Sequence, residues 1–257
     1  MDDSPMDRFW EVDLLRGIAI LLMVLYHFAF DLNYFGLVNI EVNSGIFLSL
    51  ARLTVTLFLL LVGLSLHLSL SRAERLGRQD RFKWRLFRRS AWILALALCI
   101  TIVTYLLLGW GYILFGALHL IGLSLLLAYP FLGMEWKNFI LGSILIILSL
   151  YVQEIRVDHY WLLWLGLAPP DFYSLDYVTV LPWFGVVLFG VGLGDLLYPG
   201  YRRRVTWLDQ IAVSGCSWAR LLCYLGRNSL TIYLVHQPLI ILLLMLDEVL
   251  LPGFQRV

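Results

Sequence analysis

Charge is scarce in this chain. Only 14% of its 257 residues are Asp, Glu, Lys or Arg, whereas 61% are apolar. A soluble domain carries about 25% charged residues and rarely passes about 50% apolar, so a soluble globular fold is excluded. Ten-residue segments of alternating hydrophobicity are also missing, which removes a membrane β-barrel. What remains is an all-α, polytopic transmembrane helical bundle, in which every backbone polar group is satisfied within its own helix. Cysteine is nearly absent. Cys99 sits inside an apolar run, and Cys216 and Cys223 lie in one polar-flanked segment. None has the spacing of a metal site or a disulfide framework, so three free thiols are expected. No small-residue cleavage site follows the first apolar run, so no cleavable signal peptide is expected. No internal repeat or low-complexity linker divides the chain, and residues 1–257 read as a single domain. The net charge of +1 is uninformative about partners, and nucleic acid is not an expected one.

Seven apolar runs read as spans: 14–33, 46–70, 87–108, 112–132, 138–152, 178–198 and 229–250. The fifth is short for the ~20 residues that a span needs. Residues 160–168, YWLLWLGLA, are shorter still and read as a re-entrant or interfacial piece, with an eighth span as the alternative. The basic residues set the orientation. Eight fall between Arg72 and Arg89, and five more are Arg202, Arg203, Arg204, Arg220 and Arg227. With seven spans, Arg8, Arg16 and Lys137 fall on the same side as these, and Arg156 and Arg256 fall opposite. The positive-inside rule then puts the N-terminus in the cytoplasm. Trp10, Trp110, Tyr112, Trp136, Tyr151, Tyr198 and Trp207 at span ends read as interfacial anchors. Gly185, Gly190, Gly192 and Gly194 predict close helix packing in the sixth span.

Ionisable groups inside spans are functional candidates, because each must be compensated. Arg16 and His27 are eleven residues apart, which is three turns plus roughly 20°, so they share one stripe about 16 Å apart along the axis. Asp31 lies one turn beyond His27, near enough to orient its imidazole. Asp13 can pair with Arg16. Counting turns from the span ends places Arg52 and His119 in the same outer half as His27 and Asp31, and these four are the expected catalytic group. The same count places His236 and Gln237 about two turns in from the cytoplasmic end of the last span. Each candidate also has a structural reading: Arg52 neutralising Asp31, His119 packing helices, His67 lying at an interface, His159 solvated in an outer loop. The 72–89 arginines are first a topology signal. No short ligand spacing supports a metal site.

The stretch EVDLLRGIAILLMVLYHFAFDLNYFG resembles the opening of bacterial and archaeal membrane proteins grouped with the catalytic domain of heparan-α-glucosaminide N-acetyltransferase. RLTVTLFLLLVGLSLHLS, FGALHLIGLSLLLAYPFL, LPWFGVVLFGVGLGDLL and LGRNSLTIYLVHQPL resemble further parts of the same family, in order along most of the chain. The R-x10-H spacing of Arg16 and His27, and the segment SLTIYLVHQPL, are also similar to the transmembrane acyltransferases that O-acetylate surface polysaccharides. The resemblance implies transfer of an acyl group from cytoplasmic acyl-CoA to an acceptor on the far side of the membrane. The animal namesake carries asparagine at the position matching His27, and its proposed catalytic histidine lies in the following loop. Here that loop, residues 33–45, has no histidine. The catalytic role is carried to His27 by the polysaccharide acyltransferases and by the physics of the stripe.

The expected activity is therefore an acetyl-CoA-dependent acetyltransferase of the cell membrane, crossing it several times and acting on a sugar amine or hydroxyl of a cell-surface glycan. His27 would be the general base, Asp31 its orienting acid, and Arg52 or His119 the oxyanion donor. Arg16, Arg85, Arg88 and Arg89, with His236 and Gln237, are the expected acyl-CoA contacts, arginine suiting the phosphates. The outer segment 153–177 offers Trp161, Trp164, Tyr173, Asp158, Asp171 and Asp176 for a sugar, or simply an aromatic interfacial cap. The rival classes are a proton-coupled transporter, which also uses intramembrane His, Asp and Arg, and a membrane scaffold. The absence of an inverted repeat or paired broken helices argues against the transporter. A homodimer is open on size alone, with no interface signature visible.

Overall fold

The structure is a computed structural model of the whole chain. It describes residues 8–250 except 40, 153, 156 and 211–215, with backbone only at 209–210 and 247–250. Arg156 and Arg256, two of the charges used for the orientation, lie outside the described residues. Among the described residues every regular element is helical. In order they are α1 (Trp10–Tyr34), α2 (Gly45–Arg75), α3 (Gln79–Leu108), α4 (Ala117–Leu127), α5 (Lys137–Val152), α6 (Val180–Leu197), α7 (Ser217–Arg227) and α8 (Ser229–Leu250), with short 3-10 turns at Tyr129–Phe131, Leu163–Leu165, Pro199–Tyr201 and Thr206–Gln210.

Five helices, α1, α2, α3, α6 and α8, are long and apolar enough to cross a membrane. The helices at the expected fourth and fifth spans are shorter. Helix α4 has 11 residues, which is only about 16 Å of helix. The expected run 112–132 overshoots because its two ends are not helical. Residues 112–116 form a loop ending at Gly116, the extended N-cap of α4, and Pro130 sits in the 3-10 turn beyond α4. Helix α5 has 16 residues, matching the short fifth run. Residues 160–168 hold only the turn Leu163–Leu165, and no eighth span forms there. The 199–228 segment, expected only as a basic connection, contains the amphipathic α7.

The chain divides into two compact units, residues 1–58 with 209–257, and residues 59–208. In the first, α7 packs on the start of α1 at backbone contact distance. A Cβ at Gly17 would fall on the Leu222 carbonyl, and one at Gly226 on the Asp13 carbonyl. The Cys223 thiol donates to the Trp10 carbonyl at 3.4 Å. Helix α8 then runs in the same direction as α1. Arg227, just ahead of α8, meets Asp13, and Gln237 meets Asp31 further along both helices.

In the second unit α5 and α6 are antiparallel. Gly142 faces the Gly185 carbonyl, and Phe139 packs against Phe189 and Gly192. Small residues allow this approach, as they do between membrane helices generally. Helix α3 is tied to α4 where the Ser90 hydroxyl donates to the Gly122 carbonyl at 2.6 Å.

Candidate active site

The first unit holds two polar clusters on the α1 stripe. The one nearer the N-terminus is built on Asp13, whose carboxylate is 3% exposed. Arg16 donates to Oδ1 at 3.0 Å and Arg227 to Oδ2 at 3.1 Å. One buried carboxylate thus sits between two guanidinium groups. The Arg227 side chain is about half exposed, so part of its fork is open to an anion. Arg227 was not anticipated as a site residue. Its signal is the basic end of an amphipathic helix, visible only once α7 is recognised as one.

The second cluster lies on the same stripe. The His27 Nδ1–H donates to the carbonyl of Met23 at 2.9 Å. A carbonyl only accepts, so the neutral ring carries its proton on Nδ1 and its lone pair on Nε2. His236 repeats the arrangement, donating from Nδ1 to the Tyr233 carbonyl at 2.7 Å. Its Nε2 is buried with no partner among the described residues. The two rings meet edge to face, with centroids 4.8 Å apart. Asp31, also 3% exposed, accepts from the Gln237 Nε2 amide at 2.8 and 2.9 Å. The Gln237 Oε1 is buried and unpartnered. The cluster therefore presents a basic nitrogen on His27 beside two unsatisfied acceptors, held by helices that fix their rotamers.

This geometry differs from the expected one in three ways. The His27 tautomer is set by the Met23 carbonyl and not by Asp31, whose oxygens are held by Gln237. Arg52 is exposed and makes no ion pair with Asp31 among the described residues. His236 and Gln237, expected nearer the cytoplasmic end, sit in the same layer as His27 and Asp31. Counting turns from each helix end failed because α8 starts part of the way along α1, after α7 has covered the first turns.

The remaining candidates lie in the second unit. Arg85, Arg88 and Arg89 are exposed on the first half of α3. His119 is buried, and both its ring nitrogens are engaged. Nδ1 accepts from the Gly116 amide at 3.3 Å, and Nε2 donates to the Thr101 hydroxyl at 3.3 Å. Thr101 in turn donates to the Ile113 carbonyl at 2.7 Å. His119 thus ties the start of α4 to α3. Asp176 supports the same helix start by accepting from the Ala117 amide at 3.0 Å, and burial pushes its carboxyl pKa up. Tyr177 donates to the Leu163 carbonyl at 2.8 Å, and burial pushes its hydroxyl up to about 12. Asp176 is therefore a structural acceptor, not a free contact for a sugar. The rings of Trp110 and Tyr173 stack 4.7 Å apart, and Trp161 is 84% exposed. Among the described residues no three metal-ligating side chains gather at one point.

No curated protein and no solved structure matches the chain. The family profile for the catalytic region of heparan-alpha-glucosaminide N-acetyltransferase matches residues 8–238, a range that takes in both polar clusters and both compact units. The family is one of membrane acetyltransferases, which accords with five apolar helices of spanning length. Over nearly its whole length the chain belongs to the heparan-α-glucosaminide N-acetyltransferase catalytic-domain family.

Proposed function

We propose that this chain, as one domain over residues 1–257, transfers an acetyl group from cytoplasmic acetyl-CoA to a sugar acceptor across the cell membrane. The family name favours an amine as the acceptor, with a hydroxyl as the other chemistry of the same kind. The observation that carries this reading is the His27–His236 pair. Each imidazole is pinned through Nδ1 to its own helix, and the unpartnered Nε2 of His236 lies beside His27.

His27 acts as general base. Its Nε2 takes the proton of the acceptor as the acceptor nitrogen or oxygen forms a bond to the thioester carbonyl carbon. The carbon–sulfur bond then breaks, and His27 returns that proton to the departing sulfur, so one proton moves and the free thiol leaves. Asp31, fixed by Gln237, supplies negative charge that favours the imidazolium formed on the way. His236 Nε2 and Gln237 Oε1 are acceptors, and the pantetheine arm of coenzyme A carries amide N–H groups that suit them. Arg227, half exposed, suits the phosphates, with Arg16 beside it on the shared carboxylate. Arg85, Arg88 and Arg89, exposed on α3 of the second unit, are a separate cationic surface suited to phosphate. Arg52, exposed and without an ion pair among the described residues, remains the donor we assign to the oxyanion. His119 is left out of the reacting set because its nitrogens are already used.

Parity bears on the orientation. Helices α1 and α8 run in the same direction, so if both cross the membrane the number of crossings is odd, whether α4 and α5 cross or not. Together with the cluster of arginines, this supports a cytoplasmic N-terminus. The test is a transfer assay with labelled acetyl-CoA and glucosamine on the purified protein. His27→Ala should lower transfer about 10²–10⁴-fold while acetyl-CoA remains bound. Undiminished transfer by that variant removes His27 as the base. Uptake of a labelled solute into proteoliposomes without acyl-CoA would favour the transporter.

A further inference from the structure

The second unit contains a groove that the acetyl-transfer reading does not use. It has a volume of about 360 Å³ and lies between the start of α5 and the end of α6, lined by Glu135, Trp136, Phe139, Asp195, Leu196 and Arg204. Its charged side chains are unpaired. Among the described residues Glu135, Asp195 and Arg204 make no side-chain hydrogen bond or ion pair. The backbone of Glu135 holds a positive φ of 52°, a conformation that costs a non-glycine residue energy and recurs at ligand sites. Gly192, also in the lining, lets the Phe139 ring lie flat against α6, since a Cβ there would come within 3.0 Å of it.

We propose that this groove binds the headgroup of a zwitterionic phospholipid carrying a primary ammonium group. The charges argue for a ligand bearing both signs. Two carboxylates reject a simple anion, and Arg204 rejects a simple cation. A phosphate suits the guanidinium fork, and an ammonium suits Glu135, Asp195 and the face of Trp136. The position argues for a lipid and not a soluble phosphoamine. Phe139 and Leu196 lie on the helical side, where acyl chains would run, and Arg204 lies past the end of α6. Trp136, just ahead of α5 and 60% exposed, marks the level at which tryptophan anchors a membrane interface.

The delipidated protein, in detergent, is offered an equal mixture of phosphatidylethanolamine, phosphatidylglycerol and phosphatidylcholine, and retained lipid is read by native mass spectrometry. Phosphatidylethanolamine should be retained at least about fivefold over each of the others. Glu135→Gln with Asp195→Asn should bring it down to the level of phosphatidylglycerol, and Arg204→Gln should lower all three lipids. The two carboxylate changes are near-isosteric and Arg204 is exposed, and unchanged elution and unfolding temperature confirm the fold. Equal retention of the three lipids by the parent protein overturns the proposal, as does selectivity that survives the double change. Displacement of the lipid by millimolar free phosphoethanolamine would reassign the groove to a soluble ligand and overturn the lipid assignment.

Discussion

Replacing Gln237 with leucine tests whether the Asp31–Gln237 contact is a working part of the site. The change removes an amide that donates to both oxygens of Asp31 at 2.8 and 2.9 Å. It leaves a carboxylate that is 3% exposed with no hydrogen-bond donor among the described residues. A hydrogen bond to a charged group contributes about 1.5–3 kcal/mol, and an orphaned buried charge costs more than a neutral group would. The single change should therefore destabilise by about 2–3 kcal/mol. For a chain of this size that is a fall of roughly 4–12 °C in unfolding temperature. Asp31→Leu alone leaves the amide unpaired, a smaller penalty of about 1–2 kcal/mol. Making both changes removes the donor and the acceptor together. The double variant should be less destabilised than the sum by at least about 1.5 kcal/mol, the signature of a direct interaction. The assay is thermal unfolding of all four proteins in one detergent at one scan rate, with transfer activity measured alongside. Additive losses within about 0.5 kcal/mol would refute the contact. Coupled stability with unchanged transfer would refute the role given to Asp31 in favouring the imidazolium.

Other consequences are as direct. Gly226→Ala puts a methyl group onto the Asp13 carbonyl, so α7 must separate from α1. A loss of about 3 kcal/mol or more in unfolding stability, typical of the upper tail for single changes, is expected, whereas Gly200→Ala, with open space around it and only its φ of 56° to strain, should cost about 1–2 kcal/mol. Arg227→Gln should weaken acetyl-CoA binding about tenfold at low salt, with a smaller effect at high salt as screening grows, and isothermal titration would read it. Burial raises the Asp176 carboxyl above its usual value of 3.8. The folded state therefore holds that proton more tightly than the unfolded chain does. The stability this contributes is full below about pH 4 and is lost as pH rises through the folded-state value. Asp176→Asn keeps an acceptor for the Ala117 amide and should flatten that decline as pH rises above about 4, seen as a smaller drop in unfolding temperature than in the parent.

The long apolar runs were legible because composition and length suffice for them, and the helices at 10–34, 45–75, 79–108, 180–197 and 229–250 follow the runs closely. The stripe of Asp13, Arg16, His27 and Asp31 was legible for the same reason: residues on one helix obey its own period. What failed needed knowledge of a neighbouring chain segment. Helix α4 is short because His119 and Asp176, the latter 59 residues on, fix its start at 117. Helix α7 hides in a basic stretch because its buried face is Ala219, Cys223 and Gly226, residues too small to register as an apolar stripe. They are small because backbone meets backbone there. The partner of Asp31 is 206 residues away, and no local pattern identifies it.

That partner also changes what α1 is for. Read alone, the helix carries a cation at one end and an imidazole about three turns further on, with the acid after it as the obvious support. With α8 parallel to it, the helix becomes half of a track. Both ends of the track are made by α1 together with the α7–α8 segment: Asp13 with Arg227 at the first, His27 with His236 and Asp31 with Gln237 at the second. A phosphate-bearing donor with a long neutral arm has matching chemistry at its two ends, charge at one and a thioester at the other. The α7–α8 segment and α1 hold such a pair of sites at a fixed axial separation, because the end of α7 cannot slide along α1 without breaking the Gly226–Asp13 approach. Lengthening the donor arm by two methylene groups should therefore impair transfer far more than phosphate-dependent binding. An arm-length series with unchanged transfer would mean that the two clusters do not serve one ligand.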